Sequence, residues 1–128
     1  MIKVIVICFI VVVLTAACWI NTSEQSLLNS PPYPVHVFED SYHYSEDSGV
    51  RTIQLHIEMQ DGLKDPEDDT VFFRSSSLPS WISLNNNTGL LSVLTEESHE
   101  SKNYIFWSED EHGADTSDEP CTIEISVD

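Results

Sequence analysis

The chain has 128 residues, 22 of them acidic and 5 basic, for a formal net charge of −17 at pH 7. That length holds one domain, and a surface of that sign repels phosphate backbones, which excludes nucleic acid as a partner. Cations, basic partners and plain colloidal solubility are what such a charge serves.

In chain order, Lys3 is a minimal positive region, Val4 to Leu14 is unbroken apolar sequence, and Thr15-Ala16-Ala17 is a run of small residues. Together they read as a signal peptide over residues 1–17, so the chain is expected to leave the cytoplasm. The apolar run to Ile20 is marginal for a membrane span, which takes about 20 residues. Cys18 comes next. The string Leu14-Thr15-Ala16-Ala17-Cys18 resembles a bacterial lipobox, which implies lipidation of Cys18 and a membrane contact made only through that anchor. Trp19 after the cysteine implies an outer membrane lipoprotein, with ordinary secretion to the periplasm or beyond as the next reading and an uncleaved anchor as the third.

Residues 18–32 read as a tether, polar over Asn21 to Ser26 and then extended through Pro31-Pro32-Tyr33-Pro34. The domain is expected over residues 33–128. Val35 to Phe38 reads as an edge strand, apolar at 35 and 37, and Glu39 to Ser48 as an acidic loop. Val50 to Met59 alternates cleanly, with Ile53, Leu55, Ile57 and Met59 on one face. Asp61-Gly62 is a turn signal, and Asp65-Pro66-Glu67-Asp68-Asp69 is an acidic loop.

Val71-Phe72-Phe73 opens the next strand. The stretch Leu78 to Val93 reads as a hairpin: Pro79 fixes its φ, Trp81, Ile82 and Leu84 supply bulk, and the Asn run ending in Gly89 suits positive φ. Glu96 to Lys102 is a charged loop, Tyr104 to Trp107 a strand, Glu109 to Ala114 a turn, and Cys121 to Val127 the last strand. Cys121 shares the parity of Ile123, Ile125 and Val127, so it reads as a small core hydrophobe. Were Cys18 not lipidated, a Cys18–Cys121 disulfide is the alternative. About seven strands with Pro, Gly and Asp punctuation make an all-β, Ig-like sandwich. Its expected core is Trp81 as anchor with Ile53, Leu55, Ile57, Phe72, Leu84, Leu91, Tyr104, Phe106, Ile123 and Ile125.

The order L-P-S-W-I-S-L, polar turn, T-G-L-L-S over residues 78–92 resembles the signature of cadherin-like β-sandwich modules of bacterial surface proteins, the dystroglycan-type cadherin-like group. Asp65 to Thr70 is similar to that family's D-P-D-G-D-x loop, with Asp68 in place of its Gly. Tyr104-x-Phe106-x-x-x-Asp110-x-x-Gly113-Ala114 is similar to a second family segment. The resemblance implies a non-catalytic binding or adhesion module that meets protein or carbohydrate at the cell surface or envelope. It also implies calcium, with oxygens from Glu39, Asp65, Glu67, Asp69 and Asp110. A solvated acidic surface would supply such loops without any ion. The alternative function is a structural or accessory envelope lipoprotein that packs on a partner complex without a ligand of its own. The five histidines share no motif, and the chain has no G-x-S-x-G, H-E-x-x-H or phosphate-cradling loop, so catalysis is not expected.

Overall fold

Ile53, Leu55 and Ile57 sit at alternate positions and all three are buried, so residues 53–57 present one face to the core. A computed structural model describes residues 29–128, and the signal peptide, Cys18 and most of the expected tether lie outside them. Among the described residues there are nine strands rather than about seven: β1 (Val35–His36), β2 (Ser41–Tyr44), β3 (Val50–Gln54), β4 (His56–Ile57), β5 (Val71–Ser75), β6 (Ile82–Leu84), β7 (Leu90–Leu94), β8 (His99–Asp110) and β9 (Cys121–Val127). One layer runs β2-β9-β8-β5; the other is β3-β7-β6, flanked by the β1-β4 pair. The fold is an all-β sandwich.

The single well-patterned strand is split because it changes partner. Its first half pairs with β7 and its second half with β1. Leu55, between the halves, donates its N–H to Gly89 O at 2.9 Å, so the backbone stays paired through the switch. Met59 lies beyond that pairing and is 54% exposed, against the expectation that it continues the buried face.

The expected acidic loop at 39–48 contains β2, which runs parallel to β9 with Ser41 opposite Glu124 and Tyr44 opposite Val127. Tyr42 and Tyr44 pack against the core, while His43 bridges the two strands on the outer side. Its Nδ1 lies 2.6 Å from Ser126 Oγ and its Nε2 lies 2.7 Å from Ser41 Oγ. The period of two was present in Tyr42 and Tyr44, masked by the acids around them. The expected charged loop at 96–102 is likewise taken over in part by β8, whose first residues cross a register irregularity between His99 and Lys102.

The core is Ile53, Leu55, Ile57, Ile82, Leu91 and Val93 from one layer, met by Phe73, Tyr104, Phe106, Ile123, Ile125 and Val127 from the other. Two expectations about it change. Phe73, not Phe72, points inward; Phe72 lies half-buried with the Arg74 guanidinium 5.3 Å from its ring centre. Trp81 is half-buried rather than the central anchor. It packs on the rim, stacked on His99 with ring centres 4.0 Å apart and edge-on to Tyr104. Leu84 is half-buried too. The middle of the sandwich falls to Phe106, which is fully buried.

The hairpin turn explains why Phe73 is the inward residue. Asn85 Oδ1 accepts the N–H groups of Asn87 (3.0 Å) and Thr88 (3.1 Å), and Gly89 takes φ +74° to return the chain into β7. A Cβ on Gly89 would stand 2.6 Å from the Phe73 ring, and the Phe73 N–H donates to Asn86 O at 2.7 Å. Ring and glycine therefore require each other. Gly113, at φ +91°, has nothing near its missing Cβ and serves as the control. Gly113→Ala is expected to cost about 1–2 kcal/mol from the left-handed backbone alone. Gly89→Ala is expected to cost about 1–3 kcal/mol more, from the clash. Urea midpoints of the two variants check this; equal losses would show that the Phe73 contact does not constrain the turn.

Candidate metal centre

Strand pairing brings two acidic segments to one end of the sandwich. Val71 at the start of β5 sits opposite Asp110 at the end of β8, and Glu111 N–H donates to Thr70 O at 3.0 Å just beyond. The loop leading into β5 and the turn leaving β8 thus lie side by side.

Both segments are built on the same local device. Asp65 Oδ1 accepts the N–H of Glu67 at 2.8 Å and of Asp69 at 3.4 Å, while its carbonyl accepts the N–H of Asp68 at 3.0 Å. Asp110 Oδ1 accepts the N–H of His112 at 2.9 Å and of Ala114 at 3.0 Å, while its carbonyl accepts the N–H of Gly113 at 3.2 Å. The third residue on is left-handed in each case, Gly113 at φ +91° and Asp68 at φ +58°. Asp is among the few non-glycine residues that accept this conformation, so Asp68 fills in one turn the role that Gly113 fills in the other.

Each aspartate spends one oxygen on its own turn and leaves the other. Oxygens of Asp65, Asp69 and Asp110 lie within 4.8 Å of one another. Asp65 is fully buried and Asp110 is 1% exposed. Asp65 Oδ2 and Asp69 Oδ2 are buried without a hydrogen-bond partner, a condition that costs free energy for any carboxylate. Asp110 Oδ2 accepts from Asn29 Nδ2 at 2.9 Å. A second group, Asp69 with Glu111 and His112, adjoins the first on the solvent side, and His112 Nε2 lies 3.5 Å from Asp69 Oδ1.

Of the five residues expected to supply metal oxygens, the structure assembles Asp65, Asp69 and Asp110. Glu67 points away and accepts the Ser30 N–H, and Glu39 is exposed in the β1–β2 connection, outside the cluster. Alternate positions in the loop do not share a direction here, because the turn between Asp65 and Asp69 folds back on itself. Asn29, Glu111 and His112 were not anticipated at the site. Asn29 falls 81 positions from its partner, and no local pattern signals such a pairing.

No family model and no curated protein matches the chain. Among solved structures it is similar to a candidate α-galactosidase from Bacteroides fragilis, at 12% identity and a TM-score of 0.50, over 79% of this chain and 19% of that one. A second candidate α-galactosidase/melibiase from the same organism matches at 11% identity and a TM-score of 0.49, over 78% and 19%. The human desmocollin-1 ectodomain matches at 10% identity and a TM-score of 0.42, over 77% and 20%. The chain spans about a fifth of the length of each. The first likeness is one of fold alone.

Partial burial and the neighbouring Asp65 carboxylate push the Asp69 carboxyl above its ordinary value, while His112 pulls it back. A raised folded value means that the folded protein holds this proton more tightly than the unfolded chain does. Without a cation, stability from this group should therefore rise as pH falls through the raised value and level off near the unfolded value of about 4. Asp47 and Asp115, both held low by hydrogen bonds, act the other way and only below that point. In chelator, Asp69→Asn is expected to raise the melting temperature at pH 7 and to remove the gain seen on acidifying to pH 5. A variant less stable than the parent at pH 7 in chelator would show that the carboxylate is not under strain.

Proposed function

We propose that the chain is a non-catalytic, extracytoplasmic recognition module of the cadherin-like kind, made rigid at one end by calcium and tethered through its N-terminal segment. The observation that carries the calcium reading is Asp65 Oδ2, a fully buried carboxylate oxygen without a partner, beside the unpartnered Asp69 Oδ2 and within reach of Asp110. An all-oxygen, all-carboxylate donor set on loops suits a hard cation, and calcium takes six to eight such ligands with loose geometry. Asp65, Asp69 and Asp110 would hold the ion, with backbone or solvent oxygens completing the sphere. Its charge would offset the mutual repulsion of the three carboxylates and join the loop before β5 to the turn after β8.

The recognition role and its surface partner, protein or carbohydrate, rest on the sequence resemblance. So does the lipid anchor at Cys18. The histidine-bearing groups argue against catalysis: His43 is held between two hydroxyls on an outer sheet face, and His112 is exposed beside Asp69.

At 100 times its dissociation constant, calcium is expected to stabilise the fold by about 2.7 kcal/mol. Asp65→Asn with Asp69→Asn should abolish that gain, and magnesium at matched ionic strength should give less of it. Thermal unfolding in calcium, magnesium and chelator measures all three. Identical melting temperatures in calcium and in chelator would refute the calcium reading.

A further inference from the structure

At the far end of β8 from the acidic cluster, a cleft of about 190 Å³ opens between Ser80, Trp81, Leu94, Glu96, Glu97 and His99. The strand from His99 to Asp110 separates the two sites by about 35 Å of extended chain. This second site stands independently of the calcium reading.

The cleft has an apolar wall and an acidic mouth. Trp81 forms the wall, with one ring face on His99 (4.0 Å between centres, planes 1° apart) and its edge toward Tyr104. Leu94 extends it and is 41% exposed; Val50, opposite Leu94 across the β3–β7 pair, is 55% exposed. Glu96 and Glu97 are exposed and make no ion pair among the described residues.

Those two glutamates are held at both ends. Before them, buried Thr95 donates its hydroxyl to the Asp47 carboxylate and its N–H to Gly49 O at 3.2 Å, and its carbonyl accepts the Asp47 N–H at 2.8 Å. After them, the Ser98 hydroxyl donates to Val127 O at 3.1 Å. The backbone carrying the two acids is thus fixed in place, and the side chains alone remain to be ordered when a cation docks.

Size decides what class of ligand fits. Pockets for whole small molecules run to about 300–1,000 Å³, so this one, at about 190 Å³, takes a single side chain. An aliphatic and aromatic wall leading to two carboxylates matches a residue with a methylene stem and a cationic head. We propose that the cleft captures one lysine or arginine of a partner protein, its stem on Leu94 and Trp81 and its cation between Glu96 and Glu97. A second copy of this chain is a poor source: each copy carries a net charge of −17, so two copies repel, and the exposed Lys64 and Lys102 are the described cations outside ion pairs that a copy could offer.

The test is an NMR titration of the intact protein in physiological salt with Ac-Gly-Arg-Gly-amide, Ac-Gly-Lys-Gly-amide and the uncharged citrulline analogue of the first. Saturable shifts of the Trp81 indole N–H and Leu94 methyls are expected with the two cationic peptides and not with citrulline. Glu96→Gln with Glu97→Gln, both on the surface and so compatible with folding, should weaken binding by about tenfold. Asp118→Asn, at an exposed acid outside both sites, should leave it unchanged. Equal shifts from the citrulline peptide, shifts spread over all the acidic loops without saturation, or unaltered affinity in the double glutamine variant would each overturn the proposal. A concentration-dependent dimer that occludes Trp81 in sedimentation would overturn it as well, by making the second copy the occupant.

Discussion

The register between β5 and β8 is the constraint on which the rest of this molecule depends. With Val71 opposite Asp110, Phe73 faces the core and meets Gly89, and the two aspartate-capped turns share one end of the sheet. Because side chains alternate with a period of two, a slip of one residue would turn Phe73 outward and separate Asp69 from Asp110 together. Packing and chemistry are thus set by one choice of pairing. The hydrophobic side of that choice is heavily over-determined, since Phe73 is gripped by a glycine that has no room for any other residue. The acidic side has no such support of its own.

Charge runs through the architecture in a consistent way. Few cations are present to offset 22 acids, so most carboxylates are either solvated or satisfied by backbone N–H groups. Asp47, Asp65, Asp110 and Asp115 all take the second route, each accepting from residues two or more positions on. Apart from Asp47, which also pairs with Arg51, these aspartates shape their loops without lysine or arginine and leave carboxylate oxygens over. Where two such loops converge the leftover oxygens are buried and mutually repulsive. Where a single acidic pair follows a pinned threonine, they line an open cleft. The same compositional bias therefore yields two different kinds of site, a closed one and an open one, at opposite ends of β8.

Much of this was legible from residue order. Ile53, Leu55, Ile57, Leu91, Val93, Ile123, Ile125 and Val127 alternate plainly, and all are buried. The Asn85 to Gly89 turn carries its chemistry in its side chains, and Asp65 and Asp110 stood out through the resemblance of their segments to cadherin-like motifs. What failed to show did so for physical reasons. Val71-Phe72-Phe73 is a continuous apolar run with no internal parity, so only the contact with Gly89 tells which ring is inside. Ser41 to Tyr44 pairs with a strand more than 80 residues away, and its alternation is short and set among acids. Trp81 has the bulk of a core residue, yet its position just before a three-residue edge strand leaves it on the rim. Asn29 reaches Asp110 through tertiary geometry alone.

The parallel contact between β2 and β9 bears on the order of events in time. β9 has the latest residues of any described strand, yet it lies inside its sheet with β8 on one side and β2 on the other. A chain that has emerged only as far as Pro120 has β2 with no neighbour and one edge of β8 unpaired. Local hairpins such as β6–β7 can form early, but the layer closes only when residues 121–127 arrive and bridge a separation of some 80 positions, a slow, non-local step. Until then the layer stays open, and the last described strand acts as the latch that closes it.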